Sequence, residues 1–153
     1  MNLLLLGGCT ALFGPNLRTI GHAEETGSVE RLLLYLQHPK HAYVRERAAR
    51  ALRALPSDEK SLPAVPLLRA CLRDDSEKDY VRAECALTLG EWQVEAAAVD
   101  IIYAMGQSSD ESRYWMAYSL NGINAPEARA ELARLREDSD FFISTAARQW
   151  MGE

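Results

Sequence analysis

The chain has 153 residues, of which 48% are hydrophobic and 25% charged; this is ordinary globular composition and excludes a disordered chain. Its 17 basic and 22 acidic residues leave a formal net charge of -5, which disfavours a general nucleic-acid binder, because displacing counterions from phosphates needs a basic face. Three cysteines make no disulfide framework, 9 glycines and 6 prolines are too few for a turn-rich β protein, and no apolar run reaches the roughly 18 residues of a membrane-spanning helix.

The chain opens with Leu3-Leu4-Leu5-Leu6-Gly7-Gly8-Cys9-Thr10. This segment resembles the lipobox of bacterial lipoproteins, in which an apolar run ends in Leu-x-Gly-Cys and the cysteine is acylated. The resemblance implies lipidation at Cys9, with residues 10–27, punctuated by Gly14-Pro15, Gly21 and Gly27, as the tether that follows. A working signal peptide needs roughly ten further residues upstream, so this reading also expects a start before Met1. The competing expectation is an apolar first segment that covers the end of the fold, with a cytoplasmic location if the start at Met1 is genuine.

From residue 28 onward the expected elements are helices in pairs. Val29–Gln37 is apolar-rich and stops at His38-Pro39; its partner carries Val44, Ala48, Ala49 and Leu52 in one stripe. Ala64–Arg73 precedes a helix with Val81, Cys85, Ala86 and Leu89 in the same stripe. Val94–Met105 precedes one with Ser112, Met116, Ala117 and Leu120, and Pro126–Arg136 precedes the last, from Phe141 to Trp150. Asp79, Asp110 and Asp140 stand where N-caps belong.

The second helices are copies of one another. Tyr43-Val44-Arg45 aligns with Tyr80-Val81-Arg82 and then with Glu111-Ser112-Arg113; 37 residues separate Arg45 from Arg82, and 31 separate Arg82 from Arg113. A looser fourth copy runs from Phe141-Phe142 to Trp150. A period of this size marks stacked units, each too thin to bury its own apolar face. The expected fold is all-α: about four αα-hairpins over residues 28–153, stacked into a short right-handed α-solenoid.

Asp79-Tyr80-Val81-Arg82 with Ala86 and Leu89-Gly90, followed by Gly122-Ile123-Asn124-Ala125-Pro126-Glu127-Ala128, resembles the short HEAT-like repeat of phycobilisome bilin lyases. The resemblance covers roughly residues 28 to 151. It implies the solenoid, and it implies that Arg45, Arg82 and Arg113 link adjacent units. It leaves activity open, since such repeats serve lyases, hydroxylases and adaptors alike.

Chemistry-bearing residues are few. His38 and His41 flank Pro39 at a helix end, His22 stands apart, and no Cys-x-x-Cys exists, so no metal site is expected. The His-Glu pairs of HEAT-like di-iron hydroxylases are missing from the sequence, and Gly7-Gly8 lacks the Lys-Ser/Thr of a phosphate loop. Cys71 and Cys85 lie on helices either side of the loop at 74–79, near enough for a disulfide to remain open. No catalytic residue and no cofactor is expected.

What the repeat does point to is a surface. Outside the apolar stripe the second helices present Arg50, Arg53, Tyr114, Tyr118, Asn121 and Arg148. Tyrosine and arginine are enriched at interface centres, so these six are the expected partner-binding residues, with Trp115 and Trp150 expected in the core. The expected function is a non-catalytic protein-interaction or scaffold module, lipid-anchored in the bacterial envelope. The alternative is a lyase or chaperone-like subunit for a tetrapyrrole-carrying protein.

Overall fold

The computed structural model describes residues 17–152. Among them nine α-helices follow in order: α1 (Leu17–Thr26), α2 (Val29–Leu36), α3 (Ala42–Arg53), α4 (Ala64–Arg73), α5 (Asp79–Glu91), α6 (Ala98–Met105), α7 (Asp110–Asn121), α8 (Pro126–Leu135) and α9 (Phe141–Trp150). They contain no strand. Four hairpins result, α2/α3, α4/α5, α6/α7 and α8/α9. Each first helix packs on the first helices next to it and each second helix on its neighbouring second helices, which makes an all-α solenoid. The repeated segments are α3, α5, α7 and α9.

The shared stripe is the core. Val44, Ala48, Ala49 and Leu52 on α3, Val81, Cys85, Ala86 and Leu89 on α5, and Met116, Ala117 and Leu120 on α7 are all fully buried. Small side chains in mid-helix let the second helices approach backbone to backbone. The tightest point is Gly90 near the end of α5, where a Cβ would lie 2.7 Å from the Ser119 carbonyl oxygen of α7 and 2.9 Å from its Cα. Gly122, just past α7, faces the same spot: a Cβ there would stand 2.9 Å from the Gly90 carbonyl oxygen.

Two parts of the chain differ from the sequence expectation. Leu17–Thr26, inside the stretch read as a tether, is a helix whose Ile20 and Ala23 are fully buried, and Arg47 of α3 holds Glu24 at 2.5 Å. Its two buried positions, Ile20 and Ala23, stand on either side of Gly21, and a glycine in mid-segment reads as a break rather than as the interior of a helix. The element expected from Val94 begins later, because α5 ends in a Schellman turn. Val94 N–H donates to the Leu89 carbonyl at 3.0 Å, Gln93 N–H donates to that of Gly90 at 3.0 Å, and Gln93 takes φ 54°. A 3₁₀ turn, Glu95–Ala97, then leads into α6.

Of the three expected caps only Asp140 acts as one, accepting the Ile143 N–H at 2.9 Å. Asp79 and Asp110 are the first residues inside their helices, after Lys78 and Ser109. Asp79 is therefore free to reach forward: its carboxylate accepts the Ser109 N–H of the next hairpin at 2.9 Å and Arg82 Nη2 at 2.6 Å.

Arginines complete the joints between hairpins. Arg45 donates to both carboxylate oxygens of Glu77, at 2.5 and 2.7 Å, and to the His38 carbonyl at 2.6 Å. Arg82, 3% exposed, reaches the Gln107 carbonyl at 3.1 Å; Arg113 spans Asp110 at 3.0 Å and Asp138 at 2.5 Å. The linking role implied by the family resemblance holds for all three. On the first-helix side, fully buried Asp100 of α6 accepts from Arg69 of α4 at 2.5 Å and also from Arg73. Thr88 to the Ala49 carbonyl (2.9 Å) and Trp92 Nε1 to that of Leu55 (3.1 Å) add further ties.

Gly90→Ala forces two backbones apart and is expected to lower stability by about 1–3 kcal/mol, as overpacking does. Gly106→Ala, whose added Cβ would meet nothing nearer than 3.5 Å, serves as the control and is expected to stay within about 0.5 kcal/mol. Urea denaturation of both variants checks this; equal losses would show that the close approach carries no constraint.

Accepting the Ser109 N–H, and next the charge and hydrogen bond of Arg82 against the opposing effect of burial, holds the Asp79 carboxyl below its ordinary value. A lowered carboxyl stabilises the fold above its unfolded value near about pH 3.9, and that contribution is lost as pH falls through the folded value. Asp79→Asn is expected to cost on the order of 1 kcal/mol near neutral pH, discounted for a side chain a third exposed, and much less near about pH 3. Urea midpoints at the two pH values test it, and a gap that does not narrow in acid would refute the assignment.

Candidate functional site

The second helices form a continuous face with grooves between them. One groove of about 620 Å³ lies across α3, α5 and α7 and is lined by Arg50, Arg53, Leu87, Glu91, Trp115, Tyr118 and Asn121 among others. A second, also about 620 Å³, lies between α7 and α9, with Asp110, Glu111, Tyr114, Trp115, Asp140, Phe141 and Phe142 on its walls. A third, of about 380 Å³, is lined by Glu46, Arg50, Tyr80, Glu84, Glu111 and Trp115 among others.

Trp115 lines all three grooves and is 43% exposed, which overturns its expected place in the core. The reason is local. The indole stands between helices rather than under one: Tyr80, Ala83, Glu84 and Leu87 of α5 line the groove on one side of it, and Phe141 and Phe142 of α9 the groove on the other. Trp115 makes edge contacts with Tyr114, at 5.2 Å between ring centres, and with Tyr118, at 6.2 Å. Trp150 is half-buried against the core, 6.2 Å from Tyr114 and 6.0 Å from Tyr118.

The six expected partner-binding residues separate into three groups. Arg50, Arg53, Tyr118 and Asn121 meet in the first groove. Tyr114 does not share it: it is half-buried at the seam with α9 and lines the second groove. Arg148 lines none of the three grooves and donates to the Arg136 carbonyl at 2.7 Å. The two groove arginines are engaged within the chain. Arg50 holds Glu84 at 3.0 Å and also Glu46, and Arg53 holds Glu84 at 3.4 Å.

Cys9 lies outside the described residues. Among the described residues no group of three or more His, Cys, Asp or Glu side chains could hold a metal, and no helix is long and apolar enough to cross a membrane. His38 is structural: its Nδ1 accepts the N–H groups of Lys40 (3.2 Å) and His41 (3.1 Å), and its ring stacks on His41. Cys71 and Cys85 are free thiols. Complete burial, and then a hydrogen bond with Cys71, pushes the Cys85 thiol well up, which keeps it protonated and inert.

Residues 44–74 match the PBS lyase HEAT-like repeat, and residues 65–152 match HEAT repeats. Comparison with curated proteins finds no match. With more than half of the chain covered by the second of these matches, together with the stacked hairpins and their arginine links, the chain belongs to the HEAT repeat family.

Proposed function

We propose that this chain is a non-catalytic interaction module that receives a polypeptide partner along the face of its second helices. The family membership supports the general role, since HEAT repeats are helical scaffolds. The observation that carries the placement is Trp115, a large aromatic side chain 43% exposed where three grooves meet. Tyr118, 47% exposed, stands beside it with Asn121 one turn on. A rigid indole next to a tyrosine contributes wide contact area at small entropic cost, which is the composition of interface centres. The arginine links support the mechanism: a preformed face loses little freedom on binding.

The placement is tested with a photo-reactive side chain put at Tyr118 and, as control, at Val99, which is equally exposed on α6. Irradiation in the native host is expected to join a discrete partner through position 118 and not through 99. Trp115→Ala is expected to reduce that capture at least about tenfold, the size of a central aromatic truncation. Capture through Val99, or capture indifferent to Trp115→Ala, would move the site elsewhere.

Envelope anchoring through Cys9 is the second half of the proposal, and it is supported by the lipobox-like Leu3–Cys9 run. Intact-mass analysis of the membrane fraction from the native host is expected to find a species beginning at an acylated Cys9. A soluble species that retains Leu3–Gly8 would refute it. The alternative role on a tetrapyrrole-carrying protein is supported by the repeat type matched at 44–74. New visible absorbance on mixing with a bilin would favour it over the module.

A further inference from the structure

The two larger grooves meet at Trp115 but differ in charge. The one across α3, α5 and α7 contains Arg50 and Arg53 together with Glu91. The one between α7 and α9 contains Asp110, Glu111 and Asp140 and no basic residue. Four aromatic side chains share its walls with Thr145, Ala146 and Gln149: Phe141 and Phe142 are 73% and 72% exposed, their rings edge to face at 5.9 Å, and Tyr114 and Trp115 come from α7. Adjacent phenylalanines this open mark a surface that another molecule covers.

The three carboxylates are not equivalent. Asp140 is engaged in capping α9, and Asp110 is paired with Arg113. Glu111 is exposed and has no ion-pair or hydrogen-bond partner among the described residues. An unanswered carboxylate beside the electron-rich faces of tryptophan, tyrosine and phenylalanine is complementary to an organic cation with apolar flanks.

Building on the interaction-module reading, we propose that the α7/α9 groove docks a basic polypeptide segment, with an arginine or lysine side chain laid over the aromatic wall and paired with Glu111. The same charge argues against other occupants. An acidic peptide or an anionic lipid surface would meet three carboxylates, and a second copy of a chain with net charge -5 would bring further acid. The groove is wide enough, at about 620 Å³, for one long side chain and its neighbours.

The test selects peptides from a randomised library against the full chain and measures the enriched ones by fluorescence anisotropy. The variants are Glu111→Gln, Phe142→Ala and Trp115→Ala. Arginine or lysine next to apolar residues is the expected consensus. Glu111→Gln is expected to weaken binding about fivefold, as for a partly exposed ion pair. Phe142→Ala should weaken it as well, and added salt should lower affinity for the parent chain more than for Glu111→Gln. Enriched peptides that need Trp115 but lack basic residues, or that bind Glu111→Gln unchanged, would overturn the cationic occupant while leaving the second-helix face intact. Peptides indifferent to Trp115→Ala would overturn the face itself. Failure to enrich any peptide, or self-association abolished by Phe142→Ala, would also overturn the basic-segment assignment.

Discussion

Gly90 and Ser119 bring two helix backbones within van der Waals distance, and much of the architecture follows from that approach. With α5 and α7 so close, the side chains where the backbones meet must be small, as Gly90 and Ser119 are, and Cys85-Ala86 and Met116-Ala117 supply the buried row beside them. The same closeness lets Arg82 bridge from one hairpin to the loop of the next, a reach that a wider helix spacing would defeat. Trp115, on the flank of α7, is left between helices, at the edge of the grooves on either side.

The two rows of helices are joined by different means. The second helices touch through backbone and small side chains, which gives little room for sliding. The first helices are joined in part by Asp100, a fully buried carboxylate held by two arginines of α4. A buried charge survives only when it is answered, so Asp100 fixes the register of α6 on α4 rather than adding much net stability. The grooves described for the second-helix face therefore rest on a frame tied on both sides.

Much of this was legible in the residues. The apolar stripes located α3, α5 and α7 because each carries its core residues at the 3.6-residue spacing of one helix face. The surface was legible only in part, because that stripe does not report burial against neighbouring second helices; α5 also buries Arg82, Ala83, Thr88 and Gly90. α7 is enclosed on three sides: the core, α5 and α9. Tyr114 lies off the stripe and so reads as outward, yet it meets α9; Trp115 reads as core and stands instead at the grooves on either side of α7. Asp100 sits in the run Val99-Asp100-Ile101 on an otherwise apolar helix, a signal that a lone acid there needs a buried partner. Asp79 reads as a cap, and one step of register makes it instead a link between hairpins. Cys9 lies outside the described residues, so anchoring stays with the sequence motif.

The joints differ in what they ask of the receiving hairpin. Arg45 and Arg113 need acidic side chains, Glu77 and Asp138, in the loop they enter. Arg82 takes the Gln107 carbonyl and Asp79 the Ser109 N–H, backbone groups that nearly any residue would present, with the Ser109 side chain adding a smaller contribution to Asp79. The loop at 107–109 is accordingly less bound to particular side chains than the loops at the other two joints. A hairpin duplicated or exchanged at this seam would be accepted on arrival, whereas one inserted at either of the others must bring its own acid.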